Sequence, residues 1–351
     1  TKDQNAIEIN SKIDSLGGFI EQGVSLENAV LSVYALRENI YPLAKVIKEA
    51  IENCVFEQRE IDQSISSRKQ KFSVNMEKVS VLAQRAFRQR FFTNAPNYSR
   101  LTNESDLDAI NRAELVEFHS QHYLKGLKKM VLVGNFSQNE IDQFMDVFGS
   151  WASEQRTQFE SKFENIKGYS HLEKKDAVQT AIRIGRHLFN KNHEDYIDFL
   201  ILNTIVGDYF GSRLMKNIRE DKGYTYGIGS MISEMEETGY FMIGTEVGKE
   251  VKDKALAEIK YELDRLRTKL IPIEELDLVK NYMLGQLLKS ADGPYSMMDL
   301  YLSVERYGLD MEFYNKIIQS INAVTPERLN ELANKYLNWD DSTIVTAGET
   351  R

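Results

Sequence analysis

A succession of helix, glycine stop, strand and long helix occurs twice in this chain, and a repeat of that length constrains the fold more than any single motif does. Three pairs of positions match in order, at offsets of 205, 212 and 214 residues: Gly18 with Gly223, Ile47 with Ile259, and Gly134 with Gly348. A drifting offset is typical of two homologous units that differ by small insertions. The sequence therefore predicts an α+β protein built from two homologous α/β sandwich domains.

A polar stretch of mixed charge near the middle of the 351 residues suggests where the two domains divide. We expect an N-terminal domain over residues 1–150, a linker over 151–175 and a C-terminal domain over 176–351. The second domain opens with an alternating strand over 178–189 and an apolar helix, for which the first domain has no counterpart. We therefore expect that roughly 40 to 45 residues, one strand plus one helix, are absent from the start of the first domain.

Composition excludes several classes of protein. The net charge of −9 comes without a dense Lys/Arg stripe, which argues against nucleic-acid binding. No apolar run approaches the roughly 18 to 20 residues of a membrane helix, and the N-terminus lacks a signal-peptide layout. We therefore expect a soluble protein that binds neither nucleic acid nor membrane, and composition leaves its compartment open. The single cysteine, Cys54, excludes a disulfide framework, and its helical phase with Ile47 and Ile51 predicts that it lies in the core.

Few residues offer recognisable chemistry. The closest pair of histidines, His119 and His122, lies on an amphipathic helix without a partnered glutamate, which favours a structural or solvated role. Arg219, Gly223 and Tyr226 fall close together, and a guanidinium and a phenol both donate hydrogen bonds to carbonyl oxygens. From the residues alone, an arginine at a helix end and a tyrosine on a strand are more typical of structural roles.

Two segments carry a resemblance to a known family. Residues 211–230 read GSRLMKNIREDKGYTYGIGS and resemble the C-terminal domain signature of the insulinase, pitrilysin and mitochondrial-processing-peptidase family of zinc peptidases. Residues 7–25 resemble the segment that follows that family's metal helix, and the resemblance extends in register over essentially the whole chain. It implies a pair of related α/β sandwich domains forming half of a hollow clam-shell. The other half would come from a second subunit or a second half-chain.

The resemblance also implies that this chain has lost the family's metal site. In the family, an H-x-x-E-H helix motif supplies two zinc-binding histidines and a general base, and a distant glutamate completes the ligand set. The motif is absent from this chain, and the family's spacing places the distal ligand at Lys71 and another acidic helper at Ser64. A protonated ammonium cannot ligate zinc. Glu21 and Gln22 replace the Asn-Ala pair of active relatives, so we expect no catalytic residue, metal ligand or cofactor here, and zinc in a partner subunit.

Arg219 and Tyr226, by contrast, match a pair that in this family holds the backbone carbonyls of the substrate near the facing unit's zinc. The resemblance therefore implies the non-catalytic, substrate-binding subunit of a bacterial-type, two-subunit zinc metallopeptidase that cleaves unfolded peptides. With a bacterial-type member we expect the bacterial cytoplasm or periplasm. Its partner would be a zinc-bearing homologous subunit in a heterodimer, or a second copy of the chain. Two alternatives stay open: a complete zinc metalloendopeptidase with H-x-x-E-H upstream of Thr1 and Glu77 as second ligand, and a structural or peptide-binding scaffold subunit.

Overall fold

A computed structural model describes residues 1–152 and 163–350, and it confirms the predicted α+β class. By its internal contacts the chain divides into two units. The first comprises Thr1–Ser73 and the described part of Thr102–Glu160, and the second comprises Val74–Leu101 and the described part of Ser161–Arg351. None of the helices in the described ranges has the length and apolar character that crossing a bilayer requires.

Strands and helices alternate along the described ranges. The strands are β1 (Phe19–Val24), β2 (Ala29–Tyr34), β3 (Gly168–Glu173), β4 (Gln179–Leu188), β5 (Ile228–Glu234), β6 (Gly239–Gly248) and β7 (Thr343–Gly348). The helices are α1 (Ala6–Ser15), α2 (Arg37–Glu52), α3 (Gln58–Met76), α4 (Val79–Phe91), α5 (Pro96–Ser99), α6 (Glu104–Ala109), α7 (Arg112–His122), α8 (Gln138–Phe148), α9 (Tyr196–Val206), α10 (Lys252–Thr268), α11 (Ile273–Ser290), α12 (Gly293–Glu305), α13 (Glu312–Ala323) and α14 (Pro326–Tyr336). A π-helix spans Met215–Asp221.

The second unit is built on a five-stranded sheet in the order β3-β7-β4-β6-β5. Strand β3 runs parallel to β7, and every other neighbouring pair is antiparallel. Residues of α9, α10, α11, α13 and α14 form the main hydrophobic core with apolar side chains of β4 and β6. Strand β4 pairs with both β6 and β7 and therefore lies at the centre of the sheet. Its range, Gln179–Leu188, agrees with the predicted strand over 178–189.

Helix α4 packs on β4 and β7 of this sheet, although it comes from the first 150 residues of the chain. Phe87 and Phe91 are fully buried there and belong to a hydrophobic cluster with Phe92, Tyr98 and Val345. Burying two phenylalanines against a sheet stabilises by about 2 kcal/mol each or more. Residues 74–101 therefore belong by contact to the second unit, whereas the sequence assigned them to the domain over 1–150.

The predicted linker also differs from the structure. Residues 153–162 lie outside the described residues, but residues 168–173 form strand β3. Its register with β7 runs from Gly168 opposite Thr343 to Glu173 opposite Gly348. A mixed polar sequence is compatible with an edge strand, since only one of its edges needs to pair. The polarity that suggested a linker therefore marks the edge of the sheet.

In the first unit the described sheet is the β1–β2 hairpin, and helices α2 and α8 pack together, with Tyr41 edge-on to Phe144 (6.0 Å between ring centroids). Leu43, Ile47, Phe144 and Val147 are the buried apolar side chains of these helices besides Ala44. The predicted strand over 129–134 does not form a ladder, because no strand among the described residues lies alongside it. The corresponding residues 343–348 of the second unit are a strand because β3 and β4 flank them.

The prediction that Cys54 lies in the core is wrong, because the side chain is exposed. Helix α2 ends at Glu52 and Asn53 leaves helical geometry, so the helical phase that aligned Cys54 with Ile47 does not reach it. Both units place a positive-φ glycine, Gly17 or Gly223, between a helix and an antiparallel hairpin that is followed by a long helix. The two units share this succession of elements over one segment of each, and their homology stays a prediction.

Candidate peptide-binding site

The π-helix Met215–Asp221 positions Arg219. Met215 and Ile218 point into the core, and the Asn217 amide donates hydrogen bonds to Glu258 (3.1 Å) and Glu262 (2.7 Å) of α10. These contacts fix the π-helix against the core and against α10, and they leave Arg219 partly exposed. Gly223 then adopts φ +65°, a conformation that L side chains rarely adopt, and it reverses the chain toward β5.

A hydroxyl network holds the segment before β5 in an irregular conformation. The Thr225 hydroxyl donates to the Glu246 carbonyl (2.7 Å) and accepts from the Gly227 amide (3.1 Å), while the Thr245 hydroxyl donates to the Gly227 carbonyl (2.9 Å). The strand expected from Tyr224 therefore begins only at Ile228. With Thr225 turned inward, the next side chain, Tyr226, projects outward and is 91% exposed.

The structure brings the two predicted binding residues together. The guanidinium carbon of Arg219 lies 5.2 Å from the centroid of the Tyr226 ring. It also lies 4.8 Å from the ring of Phe210, which is itself 62% exposed. Phe210 was missed by sequence reasoning because it stands one residue before the recognised segment 211–230. The dipeptide Tyr209-Phe210 was the available signal, since two adjacent aromatics at a chain reversal cannot both enter one core.

The guanidinium N–H groups of Arg219 have no protein acceptor among the described residues, and the Tyr226 hydroxyl likewise has no partner there. Other described arginines that lie over aromatic rings are engaged. Arg265 over Tyr261 donates to the Glu262 carboxylate (3.0 Å), and Arg306 donates to the Glu234 carbonyl (3.2 Å). The five N–H donors of Arg219 are therefore available to a ligand.

The positions that the family resemblance assigns to metal binding do not suit zinc. Lys71 is an exposed cation on α3, and the alternative ligand Glu77 forms an ion pair with Lys174 (2.6 Å). His122 is exposed and His119 packs edge-on against Phe56, in keeping with a structural or solvated role for both. Across residues 1–152 and 163–350 no group of three or more His, Cys, Asp or Glu side chains could hold a metal ion. The residues present in the described part of the chain therefore do not fit a zinc ion.

Comparison with known proteins places the chain in a family. The profile described as the peptidase M16 inactive domain matches residues 109–283, which include Phe210, Arg219 and Tyr226. The chain belongs to the insulinase-like M16 peptidase family. The M16 profile that matches is that of the inactive domain, so the part of the chain carrying the candidate site corresponds to a non-catalytic M16 domain.

Relatives of this M16 chain include proteins described as zinc proteases and one described as a non-peptidase homolog. It is 24% identical over 97% of its length, and 83% of the relative's, to a Bacillus subtilis protein described as the uncharacterized zinc protease YmxG. It is 20% identical, over 98% of its length and 81% of the relative's, to a Helicobacter pylori protein described as a non-peptidase homolog. The crystal structure of a peptidase M16 inactive domain from Pseudomonas fluorescens superposes with a TM-score of 0.87 at 21% identity, covering 100% of this chain and 85% of the other. That likeness establishes the fold.

Proposed function

We propose that this chain is the non-catalytic, substrate-binding subunit of a two-subunit zinc metallopeptidase that cleaves unfolded peptides. The observation that carries the proposal is the exposed Arg219–Tyr226 pair, which has free donors, in a chain whose metal-binding positions hold Lys71 and an ion-paired Glu77. The similarity to a non-peptidase homolog supports the non-catalytic part of the proposal. A zinc-bearing homologous subunit would supply the hydrolytic chemistry.

The pair is suited to holding a peptide in place during cleavage. A guanidinium and a phenol both donate hydrogen bonds to carbonyl oxygens and, more strongly, to the oxyanion that forms when water attacks a peptide bond. Because the segment that carries Tyr226 is fixed by Thr225 and Thr245, and the backbone of Arg219 by the π-helix, little backbone freedom would be lost on binding. Preorganised donors of this kind contribute most when they face the developing charge.

An extended peptide held by Arg219 and Tyr226 would also pair with the edge of a β-strand, and β5 of this chain does not offer a free edge at this point. The outer edge of β5 is already occupied where it leaves the candidate site, since the Ser230 amide donates to the Gly207 carbonyl (3.2 Å). Strand addition beside β5 at this point would require that bond to break. We infer that the partner subunit provides both the pairing strand and the zinc, while this chain provides the two donors.

A reconstitution experiment tests the proposal. The chain, a zinc-bearing M16 subunit from the same genome, and their equimolar mixture are each incubated with fluorescein-labelled unfolded casein. We expect cleavage by the mixture and none by this chain alone. Cleavage by the partner alone at the rate of the mixture would contradict the proposal, because the chain would then add nothing.

The similarity to a protein described as a zinc protease favours a second candidate, a complete zinc metalloendopeptidase. Its ligands would have to lie outside the described residues or be rearranged, since Glu77 is paired with Lys174 at 2.6 Å. Cleavage by this chain alone that is abolished by a chelator and restored by zinc would support this candidate.

A further inference from the structure

Asn217 connects the π-helix Met215–Asp221 to α10 through two acidic side chains, and Arg219 lies in the same π-helix. We infer that Asn217 is a positioning residue for the proposed cleavage reaction. Its amide holds the helix in the π form and so sets where the Arg219 guanidinium lies. This role rests on the proposed function, and it belongs to a residue that does not itself touch the peptide.

The place of Arg219 depends on the form of the helix. The Lys222 amide donates to the Asn217 carbonyl five residues earlier (3.0 Å), whereas the pairing of an α-helix would direct it to the Ile218 carbonyl. Ile218 is fully buried and fixes the helix against the core. A return to α-helical pairing would therefore turn Arg219 about the helix axis, and the guanidinium would leave its place 5.2 Å from the Tyr226 ring.

The side chain of Asn217 has one arrangement that suits its surroundings. Its amide nitrogen donates to the carboxylates of Glu258 (3.1 Å) and Glu262 (2.7 Å), and it carries two hydrogens for these two acids. An amide oxygen turned toward two carboxylates would be repelled, so the nitrogen must face them. The amide oxygen is buried and accepts no hydrogen bond among the described residues. Because an unpaired buried acceptor is unfavourable, the two donated bonds are what hold Asn217 in place.

The two acids of α10 make this contact a strong one. Glu262 is almost fully buried, and its carboxylate also accepts from Arg265 (3.0 Å). A buried carboxylate that loses a donor is destabilised, because burial excludes the water that would replace the donor. Glu258 is less buried and also pairs with Lys222 (3.5 Å), the residue after the π-helix. Helix α10 therefore holds the π-helix at its centre through Asn217 and at its end through Lys222.

A second asparagine, Asn330, joins another helix to α10 and provides a matched control. Its amide donates to the carbonyls of Leu266 (2.8 Å) and Arg267 (3.0 Å), near the end of α10. The helix that carries Asn330, α14, is an α-helix and contains neither Arg219 nor Tyr226. Leucine at position 330 therefore removes a clamp of the same kind without reaching the candidate site.

A double-mutant cycle in the reconstituted pair of subunits tests this role. The kcat/KM for labelled unfolded casein is measured with the wild type, Asn217→Leu, Arg219→Ala and the double variant. We expect Asn217→Leu to lower kcat/KM about tenfold when Arg219 is present, since misplacing a positioned group by roughly 1 Å costs up to about 10²-fold. In the Arg219→Ala background the same change should alter kcat/KM less than about twofold, because no guanidinium remains to be misplaced.

Two controls accompany the cycle. Asn330→Leu should leave kcat/KM unchanged, because the clamp that it removes lies away from Arg219. Urea denaturation shows whether each variant is folded. If Asn217→Leu is not, Asn217→Ala takes its place in the cycle, since the smaller side chain leaves room for water beside Glu262.

The outcomes separate the role of Asn217 from the proposed function. Loss of kcat/KM by the same factor in both backgrounds would overturn the positioning role, because Asn217 would then act only by stabilising the fold. Full activity of Asn217→Leu beside a large loss in Arg219→Ala would also overturn it, and would leave the proposed function intact. Full activity of Arg219→Ala would overturn the proposed function and the role of Asn217 with it.

Discussion

Replacing Arg219 by alanine is expected to lower the turnover of unfolded peptide by the reconstituted pair of subunits about 10²-fold, the usual effect of removing one donor to a developing oxyanion. The reason is that the guanidinium of Arg219 has no hydrogen-bond acceptor among the described residues and lies over two exposed rings, so its loss mainly removes a contact to the substrate. The measurement is the initial rate of peptide cleavage by the mixture, at substrate concentrations that separate kcat from KM.

Three variants make this result specific. Arg219→Lys keeps the charge and loses the planar fork, so only partial activity should remain. Tyr226→Phe removes one hydroxyl and keeps the ring over Arg219, and we expect a smaller loss. Tyr261→Phe removes the hydroxyl of another exposed tyrosine that an arginine overlies, and it should leave turnover unchanged. Unchanged turnover in Arg219→Ala and Tyr226→Phe would instead favour a scaffold role.

Replacing Asp195 by alanine is expected to lower the free energy of unfolding of the second unit by about 3 kcal/mol. Asp195 is almost fully buried and accepts hydrogen bonds from Arg328 (2.5 Å), Lys335 (2.7 Å) and Tyr336 (2.5 Å), which connects the start of α9 to α14. Removing the acid leaves the Tyr336 hydroxyl without its acceptor. We take the lower end of the range for breaking a buried ion pair because Arg328 and Lys335 retain access to water.

The pH dependence of this loss follows from the charge on Asp195. Burial alone would raise the pKa of Asp195, but hydrogen bonds from Lys335, Tyr336 and Arg328 outweigh it and hold the pKa well below its usual value. Because the pKa of Asp195 is lower in the folded state than in the unfolded state, its ionised form stabilises the folded protein fully above the unfolded-state pKa of about 3.9. This contribution is lost progressively as the pH falls below that value. The stability difference between the wild type and Asp195→Ala in urea denaturation should therefore be full at pH 7 and smaller near pH 3. Asp277→Ala, an exposed acid on α11, should stay within about 0.5 kcal/mol of the wild type.

Much of the fold could be predicted from local pattern. The glycine stop before a hairpin, the amphipathic helix α2 and the alternating strand β4 are all read from residues that are close in sequence, and the structure has each of them. The proximity of Arg219 and Tyr226 was likewise expected from the family resemblance, and the ring and guanidinium do lie 5.2 Å apart. Their role in binding substrate stays a prediction.

What the sequence did not predict depends on partners distant in the chain. Residues 129–134 have the β-branched and apolar composition of a strand, but a strand needs a neighbour to pair with, and the described residues provide none. Helix α4 has a mixed polar sequence, and its place on the second sheet is decided by Phe87 and Phe91 meeting β4 and β7. Cys54 is exposed because α2 ends two residues earlier. Phe210 is beside Arg219 because of a turn at Gly211 that no period in the sequence reveals.

The zinc content of the purified full-length chain, measured together with its cleavage of unfolded casein, tests the non-catalytic assignment most directly. The chain is dialysed against zinc, freed of loosely bound metal, and assayed by plasma mass spectrometry and by peptide release. With Lys71 at the position of the distal ligand and Glu77 paired with Lys174, we expect far less than one zinc ion per chain and no cleavage. Close to one zinc ion per chain, with cleavage of casein by the chain alone, would contradict the assignment.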